Sequence, residues 1–218
     1  HAAVQGYKRI NQRTLETMQS LRALLNGEPV SVDGEFIKLD LEPPRMSTQS
    51  GNCPPFYFGG LSTQARDTAA QAADVFLMWP DTAPAVQAIL DDMRRRADTY
   101  DRQLKFGYRA HVIVRETEAE ARAAADRLIS KLDDATGADI RNKSLDSQSV
   151  GVRRQAELRD AASAGDDGDF VEPNLWTGVG RARSGCGAAI VGDPDQVLAK
   201  INRYRDMGIE AFILSGYP

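Results

Sequence analysis

Four short apolar runs alternate with helical segments along this chain, and that alternation directs it toward a parallel sheet covered by helices. Phe56-Tyr-Phe ends in Gly59-Gly60, and Val75-Phe-Leu-Met-Trp follows an Ala-rich helical segment from Ser62 to Ala73. Phe106 to Val114 follows a helical segment from Pro84 to Tyr100, and Thr117 to Leu132 reads as the next helix. The fourth run, Ala211-Phe-Ile-Leu-Ser, comes after a helix with Asp193 as N-cap, Pro194 at its first position and Gly208 at its end. Runs this short and this continuously apolar suit strands buried on both faces.

Two architectures have this pattern. A doubly wound sheet would carry a G-x-G-x-x-G turn after its first strand, and none follows Phe56-Tyr-Phe. A (β/α)8 TIM barrel instead gathers ligand groups at the C-terminal ends of several strands, where Gly59-Gly60, Trp79 and Tyr217 fall. The barrel is therefore the expected α/β fold, in a single domain over residues 1–218. Ahead of it, Ile10, Leu15, Met18, Leu21, Leu24 and Leu25 predict a helix stopped by Asn26-Gly27. Val30 to Leu39 predicts a hairpin around Asp33-Gly34, and the proline-rich stretch Glu42 to Pro55 predicts a loop. Residues 133–170 are long and polar, with a helical turn or two expected between Val152 and Ala162, and read as a mobile lid or insertion.

Composition removes several function classes. With 42% hydrophobic residues in 218 the chain can fill a core, and a formal charge of -4 offers no broad basic surface to nucleic acid. No stretch approaches the roughly 20 apolar residues of a membrane span. Cys53 and Cys186 are lone thiols, and two histidines in the whole chain suggest no metal site. A cytoplasmic protein is expected.

The residues that break the apolar rule carry the chemistry. Arg109 and His111 stand two apart, hence on one face, in Phe106-Gly-Tyr-Arg-Ala-His-Val-Ile-Val. A guanidinium there either pairs with a carboxylate as a structural bridge or lines a wet cavity that binds an anion, and residue types alone leave both open. Arg181-Ala-Arg-Ser-Gly-Cys-Gly adds a cationic loop around Arg183. In Gly59-Gly60-Leu61-Ser62-Thr63 a strand meets a helix start, where free N–H groups attract phosphate unless Ser62 or Thr63 only caps the helix. Trp79 either stacks on a ring or fills the barrel mouth.

These segments resemble the bacterial-luciferase-like flavin monooxygenases, most closely the two-component alkanesulfonate monooxygenases. The resemblance runs in order through Pro54-Pro-Phe-Tyr-Phe-Gly-Gly, the strand from Phe106 continuing to Arg115-Glu-Thr, Asn174-Leu-Trp-Thr-Gly-Val-Gly, Gly185-Cys-Gly-Ala-Ala-Ile-Val-Gly-Asp and Leu214-Ser-Gly-Tyr-Pro. It implies that FMN, reduced by a separate flavin reductase, activates O2, and that an alkanesulfonate is cleaved to an aldehyde and sulfite. It also implies that Arg109, His111, Arg183 and Tyr217 are catalytic, and that Gly60, Leu61, Ser62 and Trp79 contact the cofactor.

Leu61 departs from the family's Gly-Gly-Ser-Ser turn, which leaves open an F420- or FMN-dependent oxidoreductase acting on another substrate. The resemblance further implies that the chain supplies about the last four βα units of a barrel. A truncated product inactive by itself, a non-catalytic half-barrel paired with another chain and a homo-oligomer are then expectations, because open sheet edges seek partners.

Overall fold

The computed structural model describes residues 2–44, 48–145, 149–183 and 185–216. The chain divides into two compact units, one of His1–Phe76 with Met93–Leu104, the other of Leu77–Asp92 with Lys105–Pro218.

In the first unit the expected leading helix is α1 (Ala2–Leu25), closed by Gly27 in the left-handed region at φ 80°. The hairpin follows as β1 (Val30–Asp33) and β2 (Lys38–Leu41), antiparallel with Val30 opposite Leu41 and Asp33 opposite Lys38. The turn is organised by α1. Glu16 accepts from the backbone N–H groups of Glu35, Phe36 and Ile37, and a Cβ on Gly34 would lie 2.6 Å from its Oε2. Strand β3 (Tyr57–Phe58) pairs in parallel with β4 (Val75–Met78), Tyr57 opposite Val75, and between them runs α2 (Thr63–Ala72).

Asp74 ties this βαβ unit together. It accepts from Phe56 N at 2.7 Å and from Arg22 Nη2 at 2.8 Å, with Arg102 Nη2 at 3.7 Å. Burial alone would raise its pKa, but the hydrogen bonds from Arg22 and Phe56 and the two guanidinium charges outweigh it and lower the carboxyl below its ordinary value.

Helix α3 (Ala83–Asp98) leads to β5 (Lys105–Val114), the centre of the second unit. Helix α4 (Glu118–Ile129) begins with a reciprocal cap between Thr117 and Glu120. The described part of the long polar stretch is more helical than its sequence predicts: it contains α5 (Asp134–Leu145) and α6 (Val150–Ser163). The turn or two expected near Val152 is thus a 14-residue helix, N-capped by Ser149 and buried through Ala156, Leu158 and Ala162. After it come β6 (Phe170–Glu172), β7 (Leu175–Trp176), α7 (Val179–Ala182), β8 (Ala189–Gly192), α8 (Pro194–Asp206) and β9 (Ala211–Gly216).

Strand β5 is paired in parallel with β9 along Gly107 to Val112 and with β8 along His111 to Val114. Strands β6 and β7 add antiparallel pairings, so the sheet is mixed where pure parallel was expected. Two-residue strands and a turn at Asn174, φ 62°, carry too little period for sequence to reveal them. The alanines Ala121, Ala124 and Ala125 let α4 approach Ile113, Val191, Trp176 and Val179 closely in the core. Asp193 caps α8 as predicted, with Pro194 in its first turn and Gly208 beyond its end at φ 109°.

Candidate active site

The alternation of β5 separates two kinds of side chain. Phe106, Tyr108 and Ala110 are buried on one face, and the other carries Arg109, half-buried, and His111, 2% exposed. On the flanking strands, His111 lies opposite Ser215 of β9 and Ala189 of β8, and Arg109 opposite Ile213. The backbone beneath is fastened by Cys186, whose buried thiol donates to Arg109 O at 3.4 Å. Burial pushes the pKa of that thiol up, which leaves it protonated and unsuited to nucleophilic work.

Burial is also the first cause that lowers the pKa of the His111 imidazole. The charges of Arg183 and then Arg109 push the same way, while hydrogen bonds with the backbone at Ser215 and Cys186 oppose them. A ring held below its ordinary pKa, chiefly by burial and then by two guanidinium charges, is neutral near pH 7 and can accept a proton there. No salt bridge to a described carboxylate reaches Arg109 or Arg183. Of the two alternatives left by the sequence, a structural bridge at Arg109 is therefore not the one formed among the described residues. Arg181, by contrast, has Asp169 Oδ2 at 3.7 Å, which offsets its charge and singles out Arg183 as the cation of this loop.

Trp79 follows β4 directly and is half-buried. A Cβ on Gly151 would lie 3.3 Å from its Cζ3, and one on Gly185 3.8 Å from its Cζ2, so two glycines approach the ring. Beyond it Asp81, 3% exposed, accepts from Arg154 Nε and Nη2 at 2.7 and 2.8 Å. Gln155 donates to Pro80 O at 2.8 Å and accepts from Gly187 N at 3.0 Å. Sequence reasoning passed over Asp81, Arg154 and Gln155. The available signal was the spacing Gly151, Gln155, Arg159, one stripe of a helix placed in a segment read as a lid.

The strand-to-helix turn Gly60, Leu61, Ser62 belongs to the first unit. A Cβ on Gly60 would stand 2.7 Å from Ala65 Cβ, so only glycine lets the turn fold this tightly onto α2. Ser62 Oγ accepts from Ala65 N at 3.1 Å, which makes Ser62 the N-cap of α2. The turn suits a phosphate through the remaining backbone N–H groups of a ten-residue helix start rather than through the Ser62 hydroxyl. The Leu61 side chain, half-buried, contributes no polar atom. Tyr217 lies outside the described residues. Among the described residues no cluster of His, Cys, Asp and Glu is arranged to hold a metal ion, and no helix is long and apolar enough to cross a membrane.

Comparison with known proteins gives the chain's relatives. Sulfoquinovose monooxygenase of Novosphingobium aromaticivorans is 65% identical over 207 residues, covering 94% of this chain and 56% of that protein. The enzyme of the same name from Agrobacterium fabrum is 47% identical over 210 residues, covering 95% of this chain and 54% of that protein. The chain thus spans about half the length of these curated relatives. Among solved structures, the EDTA monooxygenase of Chelativorans sp. BNC1 superposes with a TM-score of 0.70 at 18% identity, over 94% of this chain and 54% of that one, which shows the shared fold. The family model for luciferase-like monooxygenases matches residues 5–211, and the chain belongs to that family of α/β monooxygenases.

Proposed function

We propose that this chain forms the anion-binding wall of a reduced-FMN- and O2-dependent monooxygenase that desulfonates sulfoquinovose or a closely related sugar sulfonate. The observation that carries the reading is Arg109 on the same face of β5 as the buried His111, with neither Arg109 nor Arg183 given a carboxylate partner among the described residues. Such a pair suits a singly charged, three-oxygen head group that accepts several charge-assisted hydrogen bonds. The relatives named above direct the choice from simple alkanesulfonates toward a sugar sulfonate.

In this reading the bound flavin supplies two electrons and activates O2. The substrate carbon bearing sulfur becomes an aldehyde, sulfite leaves with its bonding pair, and the second oxygen atom of O2 departs as water. The chain's own residues bind and move protons. Arg109 and Arg183 hold the sulfonate and stabilise the departing sulfite, whose negative charge grows as the C–S bond breaks. His111, neutral at its ring nitrogens, takes the proton from the reacting carbon. Tyr217 is the second proton-handling residue, and the backbone N–H groups of the Gly60, Leu61, Ser62 turn would hold the flavin phosphate.

Helices α5 and α6 would serve as the lid that keeps water out. The chain contributes about four βα units of the barrel, and a separate flavin reductase delivers the reduced cofactor. The test supplies such a reductase, FMN and O2 and follows sulfite. Release from sulfoquinovose at a rate well above that from unbranched alkanesulfonates is expected. Activity with F420 in place of FMN, or none with any sulfonate, overturns the reading.

A further inference from the structure

Helix α6 touches both ends of the turn that carries Arg183. From one stripe at four-residue spacing, Gly151 faces the Trp79 ring, Gln155 accepts from Gly187 N at 3.0 Å and donates to Pro80 O at 2.8 Å, and Arg159 Nη1 donates to Gly180 O. Gly180 and Gly187 bracket Arg183, and they meet each other: a Cβ on Gly180 would be 3.0 Å from Gly187 O. A second anchor lies beside the stripe, where Arg154 grips the buried carboxylate of Asp81 immediately after Pro80. The helix therefore fixes the strand-end loop behind Trp79 and closes the loop of Arg183 at its two ends.

We infer that Gln155 and Arg159 are positioning residues that set where the Arg183 guanidinium stands relative to His111. The amide of Gln155 does this through both of its functional atoms. Its nitrogen donates to the loop after β4 and its oxygen accepts from the loop before β8, and so the distance between those loops is one side chain long. Arg159 pins the opposite end of the Arg183 turn one helical turn further on. The consequence for sulfonate binding rests on the function proposed above, while the positioning itself is independent of it.

The test exploits a chain with only two histidines, His1 and His111. Imidazole titrations are followed by NMR in the wild type, Gln155→Met, Arg183→Ala and the double variant, with neither flavin nor substrate present. Gln155→Met changes no charge and keeps the side-chain length. It is expected to shift the His111 titration upward, as Arg183→Ala does, because Arg183 swings away; the double variant is expected to titrate as Arg183→Ala alone. Gln155→Asn, an amide that reaches only one of the two partners, is expected to give a smaller upward shift and serves if the Met variant does not fold. A His111 titration unchanged by a folded Gln155 variant, or shifts that add fully in the double variant, overturns the inference. Absence of sulfite release from a wild type that shows the expected titrations instead contradicts the proposed function and leaves the positioning role intact.

Discussion

Arg154 and Asp81 form a two-pronged ion pair, Nε to Oδ2 at 2.7 Å and Nη2 to Oδ1 at 2.8 Å, in which Asp81 is buried and Arg154 is about one third exposed. Asp81 also accepts from Thr82 N at 2.7 Å, so its carboxylate is fully engaged. Removing the guanidinium strands a buried charge. Arg154→Ala is expected to destabilise the second unit by about 2 kcal/mol, below the value for a fully buried pair because Arg154 is partly hydrated. Urea unfolding checks this, and a variant as stable as wild type would show that the pair holds nothing.

Lys200 sits 5% exposed beside Glu172, and burial is the first cause that lowers its pKa, opposed by the hydrogen bond to that carboxylate. Glu172 also receives Ala83 N at 3.2 Å at the start of α3, and Tyr204 donates to Asp81 O at 3.1 Å. Lys200→Met leaves the carboxylate unpaired and is expected to lose about 3 kcal/mol, whereas Lys200→Met with Glu172→Gln should recover at least ~1 kcal/mol of it. Equal losses in single and double variants would contradict the coupling.

The lowered pKa of His111 has a defined sign in stability. Above the ordinary value of 6.5 both folded and unfolded forms are neutral and the group contributes no slope. As pH falls below that value the unfolded chain takes the proton first, so stability is lost progressively until the folded pKa is passed. His111→Gln should therefore flatten the acid limb of unfolding free energy below pH 6.5. Identical limbs in wild type and variant would show that His111 is not held neutral.

Gly151 lies in the first turn of α6, 3.3 Å from the Trp79 ring by the position a Cβ would take. A methyl there requires the ring to move a few tenths of an ångström, and a half-buried ring can. Gly151→Ala should thus stay within about 1 kcal/mol of wild type, while acrylamide quenching of tryptophan emission rises. Trp176 is 1% exposed, so quenching reports Trp79. A Gly151→Val variant with unchanged quenching would show that the ring does not rest on this helix.

Where the chain was legible, one residue or one period decided the outcome. Asp193, Pro194 and Gly208 fixed the bounds of α8, and the apolar runs located β3, β4, β5 and β9 because covered strands need no polar face. Arg109 and His111 stood out because they broke that rule. The segment between Leu132 and Phe170 was legible only in part, the turn or two expected from Val152 to Ala162 falling within α6: α5 and α6 are amphipathic only weakly, and α6 is held by Arg154, Gln155 and Arg159 to partners far along the chain. Side-chain bonds spanning 73 and 75 residues leave no local trace. Ser62 was visible as a cap or a ligand, and only the bond from Ala65 N shows the cap.

The most direct measurement is sulfite release from sulfoquinovose, with reduced FMN and O2, by the wild type beside Arg109→Ala and Arg183→Ala. Each arginine lost from a charge-assisted contact costs about 1.5–3 kcal/mol, so kcat/KM should fall roughly 10- to 100-fold in each variant while folding and His111 burial persist. Sulfite formation equal in all three proteins, or absent from the wild type, would contradict the assignment of this wall to sulfonate chemistry.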